Sequence, residues 1–353
     1  MKIIVPAAGR SSRFPNMRPK WMLTHPNGKL MITESLSDFE LNNVEEINIV
    51  VLSKHLEQYN CKKSLEKELN ENFNTKINII ELDFDTRSQS ETIYSAIKKQ
   101  NISGEIFIKD CDNKFSTNIR SGNYISYIDI NNFNIKNLLN KSYLILNKEN
   151  NIIESINEKQ IVSNFLCISG YSFSDSYDFI KSYDQISSFE DEKEIYVSHI
   201  INNLILNNSK IFYPNEAFDF CDWGTVDDWD DYIGKYTTYF VDIDGVLFEN
   251  ASKHFYPEWG LSAPILENIN VIKKLYKTKK CEIILTTSRS SEYKDATISQ
   301  LKEYGVDYHQ ILFGLQHNKR VIINDFSNTN KYPSCSAINI ERNIPNLNKF
   351  IKI

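Results

Sequence analysis

The chain has 353 residues, 41% of them hydrophobic, and a formal net charge of -6. This length is sufficient for two domains of ordinary size. The negative charge argues against a general nucleic-acid-binding protein, because affinity for the phosphate backbone depends on surplus Lys and Arg. Any phosphate binding should therefore be local and confined to a pocket.

The N-terminus and the cysteines indicate the cellular compartment. The chain begins directly with a strand-like run, and no apolar stretch approaches the roughly 20 residues of a membrane span. The six cysteines form no CxxC pair and no Cys/His cluster of zinc spacing. We therefore predict a cytoplasmic protein with reduced thiols, no membrane span and no nucleic-acid partner.

The opening stretch, Lys2 to Met22, has the pattern of a buried strand that ends in an anion-binding loop. The apolar run Ile3 to Val5 is followed by small residues and then by basic ones. Small residues let backbone N–H groups approach a triphosphate, and cationic side chains can neutralise it. The alternative is an ordinary turn with scattered surface charge. The candidates for phosphate contact are Ala8, Gly9, Ser11, Ser12, Arg13 and Lys20.

Short apolar strands alternate with polar, helix-like segments up to about residue 211. This alternation is typical of an α/β domain with a mainly parallel sheet flanked by helices, in which ligands bind at the carboxyl ends of the strands. A second strand-and-loop start, YFVDIDG, indicates that another α/β domain begins there, so we predict domains at residues 1–235 and 238–353. The predicted elements are strands at Ile47–Leu52, Ile77–Leu82 and Ile106–Ile108 and helices at Lys54–Glu71 and Glu91–Lys99.

The stretch SQSETIYSAI places small and hydroxyl residues ahead of a helix. This arrangement is suited to holding a nucleobase, with Gln89 and Ser90 as candidates, or simply to capping the helix at Ser90 or Glu91.

Carboxylates follow two later strand-like runs. Asp110 and Asp112 lie two residues apart at a strand end and therefore on the same side, an arrangement suited to Mg²⁺. Asp219 and Asp222 precede Gly224, so a carboxylate from far along the chain could complete the metal site. The alternative is a set of solvated loop aspartates.

Residues 1–235 resemble the sugar-phosphate nucleotidyltransferase family, whose domain is Rossmann-like. The resemblance is carried by AAGRSSRF with PK, by CDN, by EKQIVSN with the following Gly170-Tyr171, and by DWGT, in the family's order. Two positions depart from the family pattern, since Ser11 and Cys111 stand where Gly is usual.

The resemblance implies a Mg²⁺-assisted attack of a sugar or polyol phosphate on the α-phosphorus of an NTP, with release of pyrophosphate. CTP is favoured, because KDCDN and SQSET are similar to stretches of cytidylyltransferases from capsule pathways; UTP and dTTP stay open. The implied roles are triphosphate binding by Arg13, charge neutralisation by Lys20, Mg²⁺ binding by Asp112 and Asp222, and acceptor binding by Lys159 with Asn164.

The second domain opens with YFVDIDGVLF, a strand that ends in Asp242 with Asp244 two residues later. A carboxylate nucleophile beside a carboxyl that exchanges a proton is suited to forming and hydrolysing an aspartyl phosphate. The alternative is a strand ending in an acidic turn. Two more predicted strands, CEIILTTSRS and VIINDF, end in Thr287-Ser288 and Asn324-Asp325.

These stretches resemble the haloacid dehalogenase-like phosphatase superfamily over about residues 238–345. The short span between Asp242 and Thr287 resembles a capless member, which would take a large substrate or borrow a lid from the first domain or another subunit of a homo-oligomer. The implied roles are Asp242 as nucleophile, Asp244 as general acid/base, Thr287 as phosphate donor, Lys319 as charge neutraliser, and Asp242, Asp244 and Asp325 as Mg²⁺ ligands; Asn324 departs from the usual acidic pair.

Together the motifs predict a bifunctional enzyme of surface-polysaccharide precursor synthesis. An enzyme that makes CMP-activated acidic sugars, which can carry such a phosphatase, ranks second because AAGRSSRF does not match the expected PARxGSKxxPxKN. The non-catalytic hypothesis is that the first domain only binds a nucleotide and regulates or docks the phosphatase.

Overall fold

The computed structural model describes residues 1–133, 135–147, 149–188, 194–207, 209–325 and 334–351. The chain divides into two compact units, Met1–Trp229 (unit 1) and Asp230–Ile353 (unit 2). Both units contain β-strands together with α-helices.

Unit 1 is an α/β unit with a large central sheet. Its strands are β1 Lys2–Pro6, β2 Glu46–Leu52, β3 Lys76–Leu82, β4 Ile106–Ile108, β5 Asn113–Ser116, β6 Tyr124–Asp129, β7 Ser142–Asn147, β8 Ile152–Glu158, β9 Phe165–Phe173, β10 Tyr213–Glu216 and β11 Phe218–Asp222. Its helices are α1 Met31–Glu34, α2 Ser53–Tyr59, α3 Lys62–Asn72, α4 Gln89–Gln100, α5 Ser176–Ser187 and α6 Val197–Leu206, and α7 Val226–Ile233 contains the unit boundary.

The sheet of unit 1 is mixed. Its order is β10-β6-β9-β4-β1-β2-β3, and β7 pairs with β8 and β9. The segment β4-β1-β2-β3 is parallel, whereas β9 runs antiparallel to β4, β6 and β7. The parallel pairing that the sequence predicts is therefore continuous only in β4-β1-β2-β3, and one further parallel pair, β10 with β6, lies at the other end of the sheet. A separate antiparallel pair, β5 with β11, lies outside this sheet.

Apolar side chains cover both faces of the sheet. Ile4 of β1 belongs to one buried cluster, and its neighbours Ile3 and Val5 belong to the other. This division follows from the alternation of side chains along a strand. Because both faces are buried, the parallel strands have continuous apolar sequences, which is why they could be predicted.

The predicted elements of unit 1 are present, with one difference. The expected helix Lys54–Glu71 is two helices, α2 and α3, separated at Asn60. Asn60 has a φ of 45°, the left-handed conformation that commonly ends a helix and that Asn adopts more readily than most residues.

Unit 2 contains a parallel sheet of β12 Thr237–Asp242, β13 Cys281–Thr286 and β14 Gln310–Leu312, with helices α8 Leu266–Lys277 and α9 Lys294–Glu303. The strand predicted in VIINDF is wrong within the described residues, which end there at Asp325. Val321 to Asp325 have no strand hydrogen bonding, and Ile323 is 94% exposed. A β-branched apolar run favours a strand, but a strand also needs a hydrogen-bonded neighbour.

None of the helices in the described residues is long and apolar enough to cross a membrane. All six cysteines lie in the described part of the chain, and each is a free thiol.

Gly170 provides a test of the packing between β6 and β9. Its φ is 73°, and a Cβ there would lie 2.5 Å from the Ser126 Oγ. We expect Gly170→Ala to lower the free energy of unfolding by roughly 1–3 kcal/mol more than Gly104→Ala does, because of overpacking. Gly104 is the matched control, since its φ is 78° but a Cβ on it would meet no atom within 4 Å. Urea denaturation followed by circular dichroism measures both, and equal losses would contradict the proposed clash.

Candidate functional site

The loop after β1 folds back onto Lys20. Ala8 is buried in the core, whereas Gly9 and Ser12 are exposed. Ser11 has a φ of 49°, a conformation that favours Gly, and its Oγ accepts a hydrogen bond of 3.1 Å from the Lys20 backbone N–H. The residue that departs from the family pattern thus ties the loop to the lysine.

The pairing of β5 with β11 brings two distant carboxylates together. Asp112 directly precedes β5, and Asp222, the last residue of β11, pairs with Asn113. The Trp223 backbone N–H also donates to the carbonyl of Asp112, at 2.9 Å. The DWGT and CDN motifs therefore meet through backbone hydrogen bonds.

Gly224 marks the point on which the charged side chains converge. A Cβ on Gly224 would lie 3.0 Å from the Asp222 Oδ1, 3.4 Å from the Asp112 Oδ2 and 3.9 Å from the Arg13 Nη1. The glycine thus leaves space between the two carboxylates and the arginine, and a side chain would fill it.

Two lysines neutralise the carboxylates. The Lys20 ammonium pairs with the Asp112 Oδ2, and the Lys141 ammonium pairs with the Asp222 Oδ2. Burial opposes ionisation of both Lys20 and Asp112, but the attraction between them prevails, so the pKa of Lys20 is raised and the pKa of Asp112 is lowered. Lys141 is a site residue that the sequence did not reveal, since it belongs to no motif.

The donor set fits Mg²⁺. Within the described ranges no cluster of three or more His, Cys, Asp or Glu side chains could hold a metal. The carboxylates that lie beside Gly224 are the two of Asp112 and Asp222. Mg²⁺ commonly takes one or two protein carboxylates and completes its octahedron with phosphate oxygens and water. The residues present therefore fit a magnesium ion that is bound together with a phosphorylated substrate.

The two residues of α4 that were predicted to contact the nucleotide, Gln89 and Ser90, have different surroundings. Gln89 donates a hydrogen bond from its Nε2 to Asp110, beside the carboxylate site. Ser90 is fully buried and its hydroxyl donates to the carbonyl of Ile195, and its assignment to nucleotide contact stays a prediction. The helix is capped by Ser88, whose Oγ accepts from the Glu91 N–H at 3.1 Å.

The predicted acceptor lysine, Lys159, has its side chain bonded outside the charged cluster, which consists of Arg13, Lys20, Asp112, Lys141 and Asp222. Lys159 donates a hydrogen bond of 2.9 Å to the Tyr196 hydroxyl and lies over its ring. Asn164 is exposed, and its carbonyl accepts from the Ile130 N–H at 3.0 Å. In the described residues the ammonium bonded to Asp222 is that of Lys141.

In unit 2, Asp242 ends β12 and Asp244 follows it. The Thr287 hydroxyl donates to the Asp244 Oδ2 at 3.2 Å, so the ends of β12 and β13 come together. Burial, with Asp244 nearby, raises the pKa of Asp242, although Arg320 at 3.5 Å opposes this rise.

Arg289 is the second residue that the sequence did not reveal. Its guanidinium is fully buried and donates to both oxygens of Asp244, at 2.8 to 3.1 Å. It also donates to the Thr297 hydroxyl at 3.2 Å and to the Gln300 side-chain carbonyl at 2.9 Å. The SRS that follows Thr287 was the available signal, since a basic residue three positions after the end of β13 can reach a carboxylate that follows the neighbouring strand.

Among the described residues, neither Lys319 nor Asp325 forms an ion pair with Asp242. Lys319 and Asp325 are exposed, and neither side chain forms an ion pair with a described residue. For Asp325 the physical reason is the missing strand at Val321 to Asp325, which would have carried it. Arg320 occupies the place beside Asp242 that Lys319 was expected to take.

Solved structures share the fold of about two thirds of the chain. The nucleoside-diphosphate-sugar pyrophosphorylase from Vibrio cholerae RC9 aligns with a TM-score of 0.55 at 19% sequence identity, over 66% of this chain and 99% of that one. A candidate glucose-1-phosphate thymidylyltransferase from Bacillus anthracis, in complex with a sucrose, aligns with a TM-score of 0.51 at 17% identity, over 66% and 93%. No family model and no curated protein matches the chain. The fold expected from the first resemblance is confirmed.

The Arg289 network yields a stability prediction. We expect Asp244→Ala to lower the free energy of unfolding by about 3–5 kcal/mol, because it leaves a buried guanidinium without its carboxylate. Asp242→Ala is the matched control, since its partner Arg320 is 43% exposed, and should cost less than about 1 kcal/mol. Urea denaturation and hydrogen exchange in α9 measure the difference; equal effects of the two substitutions would contradict this account.

Proposed function

We propose that unit 1 transfers a nucleotidyl group from an NTP, with CTP favoured, to the phosphate of a sugar or polyol. The observation that carries the proposal is the convergence of Arg13, Asp112 and Asp222 at Gly224, with a lysine on each carboxylate. The fold shared with a nucleoside-diphosphate-sugar pyrophosphorylase agrees with it. UTP and dTTP are the alternative donors.

The reaction requires positioning and charge neutralisation rather than covalent help from the protein. A phosphate oxygen of the acceptor forms a bond to the α-phosphorus, the bond from the α-phosphorus to the bridging oxygen breaks, and pyrophosphate leaves. Arg13 and Lys20 would neutralise the triphosphate. Asp112 and Asp222 would hold Mg²⁺, which when bound offsets the charge of the phosphate oxygens.

We expect Asp112→Asn to reduce nucleotidyl transfer roughly 100-fold or more, because one metal ligand and the partner of Lys20 are lost. Pyrophosphate release from each of four NTPs with a panel of sugar and polyol phosphates, together with product masses, measures this. Asp83→Asn is the control, since Asp83 is 84% exposed and should leave the rate unchanged. If no transfer is detected with the unaltered protein and any member of the panel, unit 1 is a nucleotide-binding module instead.

For unit 2 we propose phosphomonoester hydrolysis through an aspartyl phosphate. The Asp242 carboxylate would attack phosphorus, the alcohol would leave with a proton from Asp244, and water would then release phosphate. The grouping of Asp242, Asp244 and Thr287 at adjacent strand ends supports this proposal. The implied charge neutralisation by Lys319 and the implied Mg²⁺ ligands Asp242, Asp244 and Asp325 stay predictions.

Asp242→Asn should abolish phosphate release from the same panel and leave nucleotidyl transfer unchanged, because an amide is not a competent nucleophile. Phosphate release and pyrophosphate release are measured on one preparation, so each activity controls for the folding of the other unit. Loss of both activities together would show that the units do not act independently. Phosphate release that survives the substitution would rule out Asp242 as the nucleophile.

A further inference from the structure

Two lysines lie next to each other at one end of the β7-β8 hairpin. Lys141 directly precedes β7 and Lys159 directly follows β8. The strands pair antiparallel with Ser142 opposite Glu158, and the Lys159 backbone N–H donates to the Lys141 carbonyl at 2.9 Å. The register of the hairpin therefore fixes the two lysines as neighbours, although the chain between them contains two whole strands.

Their side chains have different partners. The Lys141 ammonium pairs with Asp222 and its side chain is 24% exposed, so it lies inside the charged cluster yet stays accessible. The Lys159 ammonium is bonded to the Tyr196 hydroxyl and is largely exposed. Of this pair, Lys141 alone contacts a carboxylate of the cluster among the described residues.

The distribution of cations in the cluster indicates that Lys141 is available to the phosphate of the acceptor. Arg13 and Lys20 belong to the opening loop, and Lys20 already pairs with Asp112. A phosphomonoester carries between one and two negative charges near pH 7 and is repelled by the phosphates of a bound NTP. It therefore needs a cation of its own besides Arg13 and Lys20. Lys141 reaches the cluster from the β7-β8 hairpin, a separate part of the chain, and it carries such a point charge.

We propose that the Lys141 ammonium binds the phosphate of the acceptor, with Lys159 as an outer cation of the same subsite. The proposal rests on the nucleotidyl transfer proposed for unit 1 and deepens it. Asp222 then has a second task, since it holds Lys141 in place until a phosphomonoester arrives. Lys141 forms no covalent bond; it holds the phosphate whose oxygen attacks the α-phosphorus.

The kinetic test compares the change in KM for the acceptor phosphate with the change in KM for the NTP. Lys141→Met should raise the KM for the acceptor phosphate roughly 10- to 100-fold, as expected for the loss of a charged hydrogen bond, and leave the KM for the NTP unchanged. Lys141→Arg should restore part of the affinity, and Lys159→Met should have the smaller effect. Lys67→Met is the control, since Lys67 is 75% exposed and pairs only weakly with Glu71.

A structural role would give another result. If Lys141 only neutralised Asp222, its replacement by Met would impair both substrates equally or lower stability alone, and that outcome would overturn the proposal.

A footprinting experiment tests the subsite independently of turnover. Lysines of the full-length protein are acetylated at limiting reagent, with inorganic phosphate or a sugar phosphate present or absent, and the modified peptides are quantified by mass spectrometry. Phosphate should slow modification of Lys141 and not that of Lys67. Protection without any transfer would uphold the subsite while the proposed reaction failed, whereas transfer without protection of Lys141 would overturn the subsite alone. Absence of both would overturn both.

Discussion

The charged site of unit 1 depends on the antiparallel register of β5 with β11. Asp112 precedes β5, and the register sets Asp222 opposite Asn113. A shift of one residue would turn the side chain of Asp222 to the other face of its strand. Backbone hydrogen bonds, rather than attraction between side chains, therefore bring these two like charges to one point. The cost of their repulsion is offset by the lysines that pair with them.

The balance of charge in this site explains why its cations come from separate parts of the chain. Arg13 and Lys20 are held by the opening loop, whereas Lys141 enters from the β7-β8 hairpin. Three cations face two carboxylates, so the side chains alone leave little surplus for a triphosphate. A divalent cation on the carboxylates would free both lysines for phosphate oxygens, which is the physical link between metal binding and substrate binding here.

Much of this arrangement could be predicted from the sequence, because strand-end motifs are local. Asp222 and Asp242 are the last residues of β11 and β12, and Asp112 lies between β4 and β5. Lys141 could not be found this way, since no motif surrounds it and its place follows from long-range pairing. The strand prediction at Val321 to Ile323 was wrong for the same reason, long-range pairing. The local pattern favours a strand, but a strand also needs a hydrogen-bonded neighbour.

In unit 2, the hydrogen bonds of Asp244 limit what its carboxyl group can do. Both of its oxygens accept hydrogen bonds from Arg289, and one also accepts from Thr287. To act as a general acid it must carry a proton on one of these oxygens and give up a charge-assisted bond there. Arg289 cannot turn toward solvent instead, because it is fully buried and also bonded to Thr297 and Gln300 on α9. The carboxyl group of Asp244 is therefore linked to α9 through Arg289, whereas Asp242, whose ion-pair partner is the half-exposed Arg320, carries no such constraint.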